Sequence, residues 1–295
     1  MDKWVVYILL AVCLSSCGQA SGNKQVKQGT DSLQNDTVVS HPVDSLAYAY
    51  LKSGRIMYEN GDKLGAIAKY NKAIEIDPLY MLAYYNRGLS KSKIGDNQGA
   101  IDDYSKAIQI NPQYIKAYFS RGLIKSKLGD NKEAIVDYSK AIQINPQYIK
   151  AYFNRGNCKS KLGDKEGAIS DYNKAIELDA QNINAYINLG VEKYELGDYE
   201  GEIATYRLAI KNCSPDADLY NNLGRALYDL KRFKEAAEAY GEGIKAFPND
   251  GKLYYGRGLA RNRLGDKNGA CEDWHRSSEL GCLQANALLL LCGEK

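Results

Sequence analysis

The chain has 295 residues, of which 39 are basic and 36 acidic, a near balance that leaves a formal net charge of +3 at pH 7. No long run of one sign interrupts it, which argues against nucleic acid as the principal ligand, because a duplex needs a concentrated basic surface. His41 and His275 stand alone and the seven cysteines include no CxxC pair, so neither a metal site nor a cofactor site is expected.

The chain opens with Lys3 and an apolar run from Val5 to Leu14, which meets Leu14-Ser15-Ser16-Cys17. That run is too short to span a bilayer, which needs about 20 residues, and suits the core of a signal peptide. Leu-Ser-Ser-Cys resembles the bacterial lipobox, which implies that residues 1–16 are a signal peptide and that Cys17 is acylated and becomes the first mature residue. The alternative is an ordinary secretory signal cut after Gly18-Gln19-Ala20, giving a soluble periplasmic or secreted protein; Asp2 weakens the positive start of the segment. Residues 17–44 are rich in Gly, Ser, Gln, Asn, Asp and Thr and read as a polar tether. Such a coil reaches on the order of 30 Å on average and about 90 Å when fully extended. The expected location is the bacterial cell envelope, lipid-anchored and periplasm-facing, on either membrane.

From about Ala47 to Cys282 one unit of 34 residues recurs in register, in segments of about 47–80, 81–114, 115–148, 149–182, 183–216, 217–250 and 251–284. Tyr50, Tyr84, Tyr118, Tyr152, Tyr186, Tyr220 and Tyr254 mark the period. Gly54, Gly88, Gly122, Gly156, Gly190, Gly224 and Gly258 follow four residues later. A small series (Ala66, Ala100, Ala134, Ala168) and an aromatic series (Tyr70, Tyr104, Tyr138, Tyr172, Tyr206, Tyr240, Trp274) come next. A Gly-Asp step splits each unit into two stretches of helical period, except in the sixth, which has Lys231-Arg232. Pro78, Pro112, Pro146 and Pro248 close four units where a helix must stop. A fixed period of this size means a solenoid whose units bury their apolar faces by stacking. The spacing resembles the tetratricopeptide repeat, including its A-Y-x-N-x-G opening at Ala83-Tyr84-Tyr85-Asn86-Arg87-Gly88. The resemblance implies an all-α, right-handed superhelical solenoid of seven helix-turn-helix units, closed by a capping helix at 285–295. In this reading the glycines and alanines are small because paired helices approach closely, and the aromatics fill the space between one pair and the next.

Comparing the units with one another exposes a second pattern. Arg87, Arg121, Arg155 and Arg257 precede the glycine in four units, and sixteen residues later those units carry Asp103, Asp137, Asp171 and Asp273. Units with Ser53, Leu189 or Leu223 instead carry Lys69, Thr205 or Ala239. The correlation predicts structural ion pairs between the two helices of a unit, because the planar guanidinium can meet a carboxylate with two hydrogen bonds. The tail from Ala270-Cys271 to Cys292 resembles a terminal Sel1-like unit. In an exported chain a Cys271–Cys292 disulfide would staple the last helix to the last repeat, with Cys282 as a competing partner.

In the family resembled, the first helix of each unit makes the concave face. That places Tyr85, Phe119 and Phe153 beside Asn86, Asn154, Asn188 and Asn222, with Asn157 one turn further and Lys93, Lys127 and Lys161 beyond. An aromatic row, an amide ladder and a lysine row suit an extended peptide with acidic character. The expected function is therefore a non-enzymatic envelope scaffold or adaptor that binds partner proteins or peptides, in envelope or secretion-complex assembly. The alternative is a regulator or substrate presenter for an envelope hydrolase or protease. No catalytic constellation stands out.

Overall fold

The computed structural model describes residues 43–292, and the expected signal peptide, Cys17 and most of the expected tether lie outside them. Among the described residues there are fifteen helices and no strand. The first helices of the seven units are α1 (Ser45–Glu59), α3 (Met81–Lys93), α5 (Ile115–Lys127), α7 (Ile149–Lys161), α9 (Ile183–Glu195), α11 (Ala217–Asp229) and α13 (Gly251–Arg263). The second helices are α2 (Lys63–Ile76), α4 (Asn97–Ile110), α6 (Asn131–Ile144), α8 (Lys165–Leu178), α10 (Tyr199–Asn212), α12 (Phe233–Ala246) and α14 (Lys267–Glu279), and α15 (Gln284–Leu289) ends the array. Helices pack on neighbours one or two places away in sequence, as a solenoid requires. None of these helices is long and apolar enough to cross a membrane.

Outside the sixth unit, the turn between paired helices follows from a Gly-Asp step. The glycine takes a left-handed backbone, from φ +78° at Gly197 to φ +92° at Gly129. The following aspartate then caps the second helix: Asp62, Asp96, Asp164, Asp198 and Asp266 each accept from the amide of a glycine three residues on, at 2.8–3.0 Å. Between units, Asp77, Asn111, Asn145 and Asp179 accept from the amide two residues later. This turn survives where Ala180 replaces proline, because the acidic or amide side chain rather than the ring organises it.

The aromatic series is seated differently from the sequence expectation. Each ring lies over the glycine of its own helix pair and not simply between pairs. A Cβ on Gly122 would fall 2.8 Å from Tyr138 Cε1, and one on Gly190 2.5 Å from Tyr206 Cζ. Tyr70, Tyr104, Tyr138, Tyr172, Tyr206 and Trp274 are at most 1% exposed, so each ring is a knob in a hole cut by a glycine.

The ends also differ in detail. Val43 packs on the first apolar cluster and Asp44 caps α1 through Leu46 and Ala47, so both belong to the first unit and not to the tether. At the other end Leu288 and Leu289 cover the last repeat, whereas Leu290 and Leu291 are 87% and 68% exposed. A six-residue helix has one covered face and cannot bury all of the apolar run.

Candidate peptide-binding face

Two polar systems occupy the first helices. The first is internal. Arg87 donates through Nε to Asp103 Oδ2 (2.9 Å) and through Nη2 to Oδ1 (2.6 Å). The same two bonds at the same lengths join Arg121 to Asp137, Arg155 to Asp171 and Arg257 to Asp273. All four carboxylates are buried. Each also receives a second cation one helical turn beyond the arginine: Lys91, Lys125, Lys159 and Arg261, at 2.9–3.0 Å.

The third guanidinium nitrogen crosses to the preceding unit. Arg87 Nη1 donates to Asn71 Oδ1 (2.7 Å), Arg121 Nη1 to Ser105 Oγ (2.8 Å) and Arg155 Nη1 to Ser139 Oγ (2.9 Å). Gly241 stands at that place before Arg257 and offers no acceptor. Each guanidinium also lies over the tyrosine three residues earlier, 5.4–5.8 Å from the ring centre. All four arginines thus spend Nε and Nη2 on a buried carboxylate, and Arg87, Arg121 and Arg155 also hold unit to unit.

The second system is the expected ligand face. Tyr85 is half-buried, 5.8 Å from Tyr104 and edge-on to Tyr114 at 5.1 Å. Phe119 repeats the arrangement with Tyr138 and Tyr148, and Phe153 lies 6.0 Å from Tyr172. The aromatic row is thus rigidly backed and offers ring edges and partial faces. The amides are partly engaged. Asn86 Nδ2 donates to the Leu82 carbonyl at 2.7 Å and Asn154 Nδ2 to the Lys150 carbonyl at 2.8 Å. Asn157 Oδ1 accepts both the Tyr172 hydroxyl and Asn188 Nδ2, each at 2.8 Å, so these two amides tie unit four to unit five. Asn222 is half-buried. Lys93, Lys127 and Lys161 are exposed, each the last residue of its helix, where the carbonyl end of the helix dipole favours a cation.

A buried carboxylate that sequence reasoning passed over lies in the fifth unit. Glu202 stands where the other units have alanine, and its Oε1 accepts from Arg225 Nη2 of the sixth unit at 3.2 Å. The signal was present, since the small series stops at Ala168 and resumes only at Ala236.

The structure joins Cys271 to Cys292, tying α14 to the segment after α15. Cys282, the competing candidate, takes no part in this disulfide; it is buried and its thiol donates to Gln284 Oε1 at 3.2 Å. Cys158 is buried at a packing position, where burial pushes its thiol above the usual value; Cys213 is half-buried. Among the described residues no group of three or more His, Cys, Asp or Glu gathers to hold a metal ion.

Family patterns described as TPR repeat match residues 54–95, 92–129 and 124–163, and patterns described as tetratricopeptide repeat match 149–182, 183–214 and 217–250. Comparison with the curated proteins returns no match. Among solved structures, a tetratricopeptide repeat protein from Parabacteroides merdae is 20% identical, with a TM-score of 0.57 over 84% of this chain and 99% of that one. MamA is 25% identical, with a TM-score of 0.52 over 54% of this chain and 93% of that one. YrrB, described as a TPR protein with an unusual peptide-binding site, is 18% identical, with a TM-score of 0.52 over 64% and 97%. With the family patterns running from residue 54 to 214 and again from 217 to 250, this chain belongs to the tetratricopeptide repeat family.

Proposed function

We propose that this protein is a lipid-anchored scaffold of the cell envelope, whose first-helix face holds an extended, acidic segment of a partner protein. One observation carries the peptide reading. Three consecutive first helices, α3, α5 and α7, contain arginines and lysines but no aspartate or glutamate. Their inner cations are consumed by Asp103, Asp137 and Asp171, while Lys93, Lys127 and Lys161 project in a row and form no ion pair among the described residues. A partner with acidic side chains at matching intervals gains from each of them, and the backed aromatics beside the row supply contact area at low entropic cost. The peptide-binding site ascribed to YrrB is consistent with such a use of this fold.

A rhodamine-labelled oligoaspartate tests the face. Replacing Lys93, Lys127 and Lys161 together by Glu is expected to weaken binding at least tenfold, about 1.4 kcal/mol, with the folded circular dichroism spectrum unchanged. Equal affinity in the triple variant would discard the lysine row. For the anchor, Cys17→Ala is expected to shift the protein from the membrane to the soluble fraction or to stall its processing. Unchanged membrane partition of a fully processed variant would discard acylation. Crosslinking in the native envelope then identifies the partner.

A further inference from the structure

One buried place on the first helices breaks its pattern in the fifth unit. Units two, three, four, six and seven put Ser90, Ile124, Cys158, Ala226 and Ala260 there, none more than 7% exposed. The fifth unit puts Glu192 there, and it is 5% exposed. Among the described residues no hydrogen bond and no ion pair reaches its carboxylate. The contrast with other buried carboxylates is direct: Asp137 meets Arg121 and Lys125, and Glu202 accepts from Arg225. Two lysines on the same pair of first helices are spent elsewhere, Lys159 on Asp171 at 2.9 Å and Lys193 on the Gly201 carbonyl at 3.3 Å. A carboxylate removed from water without a partner costs the fold stability, so packing does not account for it.

The surroundings of Glu192 are polar as well. In the unit before it, Asn157 stands where units two, three and seven have Leu89, Leu123 and Leu259. Its Oδ1 accepts from the Tyr172 hydroxyl and from Asn188 Nδ2, both at 2.8 Å. Asn188 lies one helical turn before Glu192 on α9, and having donated through Nδ2 it retains Oδ1 as an acceptor. Burial, and after it the charge of Glu192, push the Tyr172 phenol above its ordinary value, which sets the carboxylate beside that hydroxyl. Two departures from the repeat, in consecutive units, therefore meet at one place. The outer row changes sign at the same step: Lys93, Lys127 and Lys161 are followed by Glu195 and Asp229.

We propose that Glu192, with Asn188 and Tyr172 beside it, forms a subsite for a primary ammonium of the bound segment at the junction of units four and five. The inference deepens the peptide-binding reading of the first-helix face. Units two to four meet the acidic stretch of the segment, and unit five receives a single cation, which fixes the direction in which the segment lies. An ammonium suits the place because it is a compact charge with three N–H donors, and a carboxylate, an amide oxygen and a phenol oxygen stand together to accept them. One carboxylate among neutral oxygens is too little for a calcium ion, which takes six to eight oxygen ligands, commonly several of them carboxylates.

The test titrates the full chain with Nα-acetyl-lysine amide at about pH 6.5, where its ammonium is charged. The side-chain amide signals of Asn157 and Asn188 are followed by NMR. Saturable shifts of both are expected, with an affinity on the order of tenfold lower in Glu192→Gln. Nα-acetyl-norleucine amide, which lacks the charge, should leave both signals in place. Glycinamide carries the ammonium on a chain terminus instead: a stronger response to it assigns the partner's N-terminus, and a stronger response to the lysine derivative assigns a side chain. Should Glu192→Gln fail to fold, Glu192→Ala restores the residue of units six and seven and gives the same readout. Its denaturation midpoint is expected to hold or rise, as a residue kept for structure would not allow. No shift in wild type up to about 50 mM of either ammonium, equal affinity in the Glu192 variants, or equal shifts with the norleucine analogue overturns the inference. Each result stands apart from the oligoaspartate titration, so loss of the lysine row and loss of the ammonium subsite are told apart.

Discussion

Asp137 is 1% exposed and accepts from Arg121 twice and from Lys125 once. Asp102, the residue before Asp137's counterpart one unit earlier, is exposed and accepts from Gln98 at 3.0 Å. Removing Asp137 strands a guanidinium and an ammonium in a partly buried layer, so Asp137→Ala is expected to cost about 3–5 kcal/mol. Asp102→Ala should stay within about 0.5 kcal/mol. Thermal or denaturant unfolding of the two variants separates them, and equal shifts would strike the pair from the account of stability. The arginine–aspartate contact is legible in sequence because loss of one member coincides with loss of the other in units one, five and six. The bridge to Asn71, Ser105 and Ser139 is not, because small polar residues at helical surfaces carry no mark of their partner. The cross-unit link from Asn188 to Asn157 needs side-chain directions that periodicity does not supply. Glu202 could be read only by treating a single departure from alanine as meaningful.

At the scale of one helical hairpin, the sixth unit shows what its turn demands. Lys231 takes φ 59°, the only non-glycine among the described residues in the left-handed region, where the other repeat turns have glycine. Arg232 then holds the capping position without a side-chain acceptor, and its guanidinium turns instead to Glu200 and Glu235. The Gly-Asp signature predicts the other turns directly. Its absence here suggests a looser turn, yet the backbone keeps the same path because the packed helices on either side dictate it. Lys231→Gly should relieve the left-handed penalty and stabilise the protein by about 1 kcal/mol. The denaturation midpoint should rise with an unchanged slope. A fall in the midpoint would mean that the lysine side chain contributes more than its backbone costs.

Across the whole array the core is continuous in one part and divided in another. From Tyr186 to Ala260 a single apolar cluster runs through units five, six and the start of seven, whereas units one to four hold separate smaller clusters. Leu223, in the arginine's place, joins the long cluster, whereas Leu189, also in that place, packs with Ala168 and Tyr172 in a smaller one. Native-state hydrogen exchange is expected to show α9–α12 opening together and most slowly, with α1–α8 opening in steps. Uniform protection along the array would contradict this. The seven units, their helices and their order were all legible from the period, but this division was not, since it depends on which apolar side chains touch across units.

Residues 103–119 and 137–153 are identical, and each receives the same arginine bonds at its aspartate and serine. Arg121 finds Ser105 behind it as Arg155 finds Ser139. A unit of this kind carries both halves of its own interface, the arginine that reaches back and the serine that receives the next one. A further copy inserted beside them meets matching surfaces on each side, so the array can lengthen by duplication without any new contact having to evolve. The span of partner it can hold then becomes a quantity set by copy number.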